Sequence, residues 1–551
     1  MDKIKVIKKI YAAAAIAFLL LFVPVFLLLI IRGNNVGYWD GYKQLSLLPN
    51  YILFFVSILA VGILFLADRL LKKLPDNRYT YGAIIVYALI ISFIMYKCKI
   101  FIAENIAFMG GWDCGIVANT AKWVYAGTPM MECYEDYFLI IDINVPAVWL
   151  LNRLYGFALS MTDYPYYPEF IWIQYETLLY CLAVFFLGMT ALVMTKKVRY
   201  AFFVTSISAV VLGLTPWNII PYTDSSSIVF PVIALFFYSL FADSTTKIRY
   251  LYWFVMLLCI RLGALFKPTV YMILIAILAV ELSKFFLLKK RSINGLIICL
   301  TMLLLVFLAG SFAKKGIYKD IGYTPDERYR EAWSTILVSG INQETSGGVY
   351  ASYTNIRDYV DRPKSERIMA DLAYIRGRVE EMGIPGTIKF FVQKSVMNFN
   401  DGTFSWYKEG SFDIYEYPVL YFTEYTGFLN SFFRDGGKYY GLFTNISQIL
   451  WLFLLIGLVA NAVLFAFFQF SRECADKSEI SVRAALILAV LGTYIYILLF
   501  EGRARYLITN LSLLIITGVI GICDLFSAID RSRELKHNEA KSNNDNSKGN
   551  E

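Results

Sequence analysis

The chain has 551 residues, of which 58% are hydrophobic and only 17% charged, with a mean hydropathy of +0.55. A soluble protein of this length carries roughly half as much charge again, so a water-soluble globular fold is excluded. The formal charge of +8 would suit nucleic acid or anionic lipid, but Lys and Arg concentrated in loops on the cytoplasmic side account for it with no nucleic-acid partner.

Long apolar runs recur from end to end, which predicts an all-α polytopic membrane protein. Aromatic residues make up 17% of the chain; Tyr and Trp favour membrane interfaces and also stack on sugar rings. The eight cysteines lack metal-ligand spacing. Cys181, Cys259, Cys299 and Cys523 read as packing residues. Cys114 and Cys133 share one loop, where a disulfide and two free thiols are both open. The only histidine is His537, in a polar tail, so acid–base chemistry in the body of the chain falls to carboxylates, Tyr, Lys or Cys.

Lys3, Lys5, Lys8 and Lys9 precede the first apolar block, 10–31, and predict a cytoplasmic N-terminus. The block is long enough to remain as a spanning helix. The second, 51–67, leads to Arg69, Lys72, Lys73 and Arg78, a cytoplasmic loop. The third, 82–101, delivers the stretch Gly110-Gly111-Trp112-Asp113-Cys114-Gly115 to the outer face. The segment 138–160 is apolar but carries Asp142, Asn144, Pro146, Asn152 and Arg153, and charge deep in lipid costs several kcal/mol. It is expected to lie along the outer interface or between helices.

Blocks follow at 170–194, 201–216, 226–242, 251–266, 269–287 and 294–312. If 138–160 does not cross, Lys196-Lys197-Arg199, Lys247-Arg249 and Lys289-Lys290-Arg291 all fall inside, as the positive-inside rule asks. With blocks at 443–470, 482–500 and 506–527, about twelve spans result, and 138–160 is a thirteenth candidate. The expected organisation is an N-terminal transmembrane module, 1–312, with an outer loop at 103–137, a mostly helical extracytoplasmic subdomain at 313–440, transmembrane helices at 441–529, and a disordered cytoplasmic tail at 530–551.

In the subdomain, Ile368, Met369, Leu372, Ile375, Val379 and Met382 form a helical stripe bounded by Pro363 and Gly383. Such a stripe is ordinarily core. A second amphipathic run, 387–399, precedes a turn at Asn400-Asp401-Gly402-Thr403. Trp333, Tyr350, Tyr353, Trp406 and Tyr407 are aromatic candidates for stacking on a glycan, with core packing the commoner role.

The same parity puts Asp113, Asp224, Lys267 and the Arg503/Arg505 pair with Tyr506 on the outer face. Each alone has an ordinary explanation: solvation for the carboxylates, snorkelling for Lys267, pairing with Glu501 for the arginines. Together they suit one chemistry. Displacing the phosphate of a polyprenyl-phosphate sugar requires a carboxylate to deprotonate an acceptor hydroxyl and cations to receive the departing anion.

The order of these features resembles the C-type glycosyltransferase (GT-C) superfamily. Asp113 in GGWDCGIVANTAKWVYAG matches its early outer-loop aspartate, and PYTDSSSIVFP around Asp224 is similar to its second acidic site. LFKPT at Lys267 and EGRARYL at 501–507 resemble motifs of a bacterial cell-envelope subgroup. The run Tyr137-Phe138 followed by Asp142-Ile143-Asn144-Val145-Pro146 departs from that subgroup's Tyr-Phe…Tyr-Pro-Asn-Asn. The resemblance implies a multi-pass enzyme with Asp113 as catalytic base and Asp224, Lys267, Arg503, Arg505 and Tyr506 as substrate-binding residues. It implies inverting sugar transfer from a polyprenyl-phosphate donor to a cell-envelope glycan at the outer face of the cell membrane. A divalent cation, Mg or Mn, shared by Asp113 and Asp224 is optional in it. A polysaccharide flippase, a polysaccharide polymerase and a non-catalytic scaffold are the alternatives.

Overall fold

A computed structural model describes residues 3–32, 48–108, 111–288, 293–328, 330, 332–342, 362–406, 423–468 and 477–548. Among these residues the regular structure is helical, with no strand. Three long helices open the chain: α1 (Lys3–Arg32), α2 (Asn50–Leu71) and α3 (Arg78–Ile106). Shorter ones follow, α4 (Asp113–Tyr125), α5 (Glu135–Ile140) and α6 (Val145–Ser160), then α7 (Phe170–Thr195), α8 (Val198–Leu214), α9 (Thr223–Ser227) and α10 (Phe230–Asp243). The central part is α11 (Arg249–Phe266), α12 (Tyr271–Leu288), α13 (Ile293–Asp320), α14 (Trp333–Gly340) and α15 (Lys364–Phe399). The chain closes with α16 (Thr426–Phe433), α17 (Tyr440–Val463), α18 (Lys477–Leu499) and α19 (Leu511–Lys548).

Eleven helices among the described residues are long and apolar enough to cross a membrane, and α8 is a shorter apolar helix. These twelve coincide with the twelve apolar blocks. The segment 138–160 forms no single long helix. It breaks into α5, a 3₁₀ turn at Asp142–Asn144, and α6. Helix α6 packs one face on its neighbours, where Asn152 Nδ2 donates to the Ala121 carbonyl (2.9 Å) and Trp172 Nε1 donates to the Leu151 carbonyl (2.8 Å), and leaves Arg153, Phe157 and Leu159 exposed.

Contacts between loops separate the two ends of the bundle. One end joins Tyr81 to the Lys196 carbonyl, Lys196 to Asp243, and Arg199 to Asp68. The other joins Trp217 to the Thr403 carbonyl and Lys394 to the carbonyls of Gly340 and Leu498. Every candidate site residue lies at this second end. At the first end Arg199 holds Asp68, which is fully buried, while Arg483 pairs with Asp524 and Tyr200 donates to Asp524 (2.8 Å).

The N-terminal and C-terminal transmembrane helices are one bundle, since α17 packs on both α2 and α19. The α17–α19 crossing depends on glycine. A Cβ on Gly457 would stand 2.0 Å from the Gly518 carbonyl oxygen, and one on Gly521 would stand 2.0 Å from that of Gly457. Backbone meets backbone there, the packing that small residues allow between helices in lipid. Gly457→Val is therefore expected to abolish the folded protein, read as loss of the monodisperse peak in detergent size-exclusion chromatography. Wild-type yield for this variant would show that the helices do not approach so closely.

Two expectations are corrected. The apolar stripe of α15 is not core: Met369 is 70% and Leu372 41% exposed, while Arg367 and Asp371 are buried. The reason is the partner surface. Helix α14 offers hydroxyls, so Asp371 accepts from Ser334 (2.7 Å) and Thr335 (3.0 Å), and Arg367 donates to the carbonyls of Arg328 and Arg330. The boundaries of the stripe do coincide with the structure. Pro363 caps α15, and Gly383, at φ 61°, breaks the helix ahead of Pro385. The tail after Asp530 was expected to be disordered but continues α19 as far as Lys548. Its Glu, Lys and Ala are good helix formers that extend a nucleus already supplied by the span. Cys114 and Cys133 are both free thiols.

Candidate functional site

Asp113 is the first residue of α4, with Trp112 at the N-cap, where the helix dipole favours a negative charge. The Tyr222 hydroxyl donates to Asp113 Oδ2 (3.2 Å). Asn144, at the end of the 142–144 turn, donates to Tyr222 Oη (3.2 Å) and to Tyr137 Oη (2.6 Å). Burial first, and then the neighbouring Asp113 charge, push the Tyr137 hydroxyl well above the usual tyrosine range. Burial does the same to Tyr222, reinforced by Tyr137 and Asp113. Both hydroxyls therefore stay protonated and act as donors. The Cys114 thiol is also raised by burial, so the cysteine beside Asp113 is not a thiolate nucleophile.

Asp224 sits on α9, a single short turn that breaks from α10 just before Pro231. The 3₁₀ turn Ala504–Asn510 precedes α19 in the same way, and the two irregular starts meet where Ser227 Oγ lies 3.1 Å from Thr509 Oγ1. Side-chain hydroxyls thus take part where regular helix gives out, a pattern tolerated at membrane depth only inside the protein. Asp224 is 1% exposed and stands between two cations. Lys267 Nζ is 2.8 Å from Oδ1, and Arg505 Nε is 3.3 Å from Oδ2.

Aromatic faces enclose these cations. The Arg505 guanidinium lies 4.1 Å from the Trp112 ring centroid and 5.5 Å from that of Tyr222. Lys267 Nζ lies 4.5 Å from the Tyr506 ring. Such contacts hold a desolvated cation in one orientation. Arg503 instead pairs with Glu501 (2.7 Å), which also accepts from the Tyr506 hydroxyl (2.9 Å).

The structure thus brings Asp113, Asp224, Lys267, Arg505 and Tyr506 into one cluster, through Tyr222 and Trp112. Arg503 takes the ordinary role of pairing with Glu501. Lys267 neither snorkels nor reaches into solvent, because it is held by Asp224. Trp112, Tyr137, Asn144, Tyr222 and Glu501 were not singled out as site residues. Trp112 and Tyr222 stand inside the quoted motifs, but nothing in their spacing separates them from filler. Trp406 is fully buried core, Trp333 is 56% exposed, and Tyr350, Tyr353 and Tyr407 lie outside the described residues.

The donor set does not fit a divalent cation. Both Asp224 oxygens face a lysine or an arginine, and among the described residues no three His, Cys, Asp or Glu side chains gather as metal ligands.

Fold and site together define an all-α polytopic membrane protein with a buried ionic and aromatic cluster at one end of its helices. The chain belongs to the family described as "Conserved hypothetical integral membrane protein", whose model matches residues 6–524. No curated protein and no solved structure matches it.

Proposed function

We propose that the protein is a membrane glycosyltransferase that moves a sugar from a polyprenyl-phosphate donor to a cell-envelope glycan. The loops rich in Lys and Arg at the opposite end face the cytoplasm in this reading, together with both termini, and the cluster faces outward. The observation that carries it is the meeting of four segments far apart in sequence, around Asp113, Asp224, Lys267 and Arg505, linked through Tyr222.

In the reaction Asp113 takes the proton of the acceptor hydroxyl. The hydroxyl oxygen bonds to the anomeric carbon, and the bond from that carbon to the phosphate oxygen breaks, its electron pair leaving on polyprenyl phosphate. Lys267 and Arg503, whose side chains stay 16% and 24% exposed beside their carboxylate partners, receive the departing charge in this reading. Asp224 holds Lys267 and Arg505 in place, and Tyr222 and Tyr137 orient the base. The test is a reconstituted assay with a panel of polyprenyl-phosphate sugars and cell-wall polymer, wild type beside Asp113→Asn. Transfer by wild type alone supports the class and the base; equal transfer by both removes Asp113 from catalysis.

A second reading, a transporter of lipid-linked glycans, draws on ionisable groups buried within spans. Glu176, fully buried two turns into α7, accepts from Ser226 (2.5 Å), and Lys99 donates to the Thr215 carbonyl (2.7 Å). Movement of lipid-linked glycan across vesicles without any transfer would favour that reading.

A further inference from the structure

The cluster around Asp224 balances its charges: Lys267, Arg503 and Arg505 stand with Asp113, Asp224 and Glu501. A second cluster, on the other side of the 142–144 turn, does not. Asp142, 6% exposed, accepts from the Tyr318 hydroxyl (2.9 Å) and faces Lys314 Nζ at 3.5 Å and Arg330 Nε at 3.3 Å. Arg261, a charge within the span α11, packs on α13 one turn before Lys314, where a Cβ on Gly310 would stand 2.1 Å from its Nε. It donates to the Tyr271 hydroxyl (3.0 Å), and its buried Nε has no hydrogen-bond partner. Glu327, 68% exposed, pairs with Arg330 from outside (3.2 Å). Among the described residues Lys314, Arg330 and Arg261, with Lys364 at 3.8 Å from Glu327, are therefore four cations gathered against one buried and one solvated carboxylate.

Surplus positive charge at the end of a span is costly unless an anion answers it. Arginine and lysine converging from three segments form the geometry that takes phosphate oxygens. We propose that Lys314, Arg330 and Arg261, positioned by Asp142, form a second oxyanion site for a phosphate-class group. That group belongs either to a lipid-linked substrate or to a phospholipid headgroup in the adjoining leaflet. If it belongs to a substrate, the site deepens the glycosyltransferase reading, because Asn144, two residues from Asp142, is hydrogen-bonded to the tyrosines around Asp113.

The test is binding and does not depend on transfer, so its failure leaves the enzyme reading untouched. Purified full-length protein in neutral detergent is titrated with inorganic phosphate at constant ionic strength, and the rise in Tm is followed. The expected result is a rise in wild type and in Lys267→Gln, with affinity about tenfold or more weaker in the double variant Lys314→Gln/Arg330→Gln. The pair Lys314→Arg/Arg330→Lys, which keeps both charges, should retain the response and guards against a folding defect. No rise in wild type, or an equal rise in the double glutamine variant, would overturn the site. Phosphatidylglycerol or phosphatidylcholine added to the micelles separates the sources. Loss of the phosphate response with phosphatidylglycerol alone identifies a headgroup; an unchanged response with both identifies a substrate phosphate.

Discussion

Asp113→Asn is expected to lower sugar transfer by about 10²–10⁴-fold, the range over which a general base contributes, with yield and Tm unchanged. The separation of the two effects follows from the geometry. Asp113 is only partly buried and accepts from the Tyr222 hydroxyl at 3.2 Å, with the Tyr137 hydroxyl also in hydrogen-bonding reach. An asparagine carbonyl oxygen accepts the same bond, so the fold keeps its contact, but the amide cannot take a proton. Transfer at the wild-type rate by Asp113→Asn, measured on protein of equal monodispersity, would defeat the assignment. Because Tyr137 and Tyr222 both have raised hydroxyl pKa values through burial and the Asp113 charge, neither replaces the base near neutral pH.

Asp224→Asn should behave differently, destabilising the protein by about 3–5 kcal/mol, the usual consequence of removing one partner from a buried ion pair. Here two cations lose their counter-charge together, Lys267 at 2.8 Å and Arg505 at 3.3 Å. The expected readout is a fall in Tm and in folded yield, with activity lost as a consequence. Adding Lys267→Met should recover part of the stability, because one uncompensated charge is removed and a side chain of similar length still fills the space under the Tyr506 ring. An Asp224→Asn protein as stable as wild type would show that the cluster is hydrated and that Asp224 does not hold the cations. Asp113, partly buried, and Asp224, 1% exposed, thus differ in burial, which in the proposed reaction leaves the first to take the proton and the second to hold the cations.

The spans were legible because lipid leaves few choices. A helix must carry about 20 apolar residues to cross, and charge on the cytoplasmic loops fixes parity. Twelve apolar blocks read from hydropathy coincide with eleven long helices and the short α8. Local backbone signals were equally clear at Pro363 and Gly383, since proline and a left-handed glycine act through their own φ. The α15 stripe shows where that logic stops. Periodicity marks two faces of a helix but does not name which one meets a neighbour: α14 met Asp371 with hydroxyls, and Arg367 reached the carbonyls of Arg328 and Arg330.

The sequence by itself determined the all-helical membrane class, the places of the long apolar helices and the shared end of the candidate residues. These follow from composition, length and parity, which are properties of the chain alone. Only the tertiary structure decided that Arg505 and not Arg503 reaches Asp224, that Lys267 is paired, that Tyr222 bridges the two aspartates' surroundings, and that a surplus of cations collects at Asp142. Each of these depends on how helices far apart in sequence are rotated and how closely they approach, and contacts such as Gly457 on Gly518 set that. Side-chain partners at ion-pair distance are fixed by shifts of about an ångström, well below what a hydropathy pattern resolves.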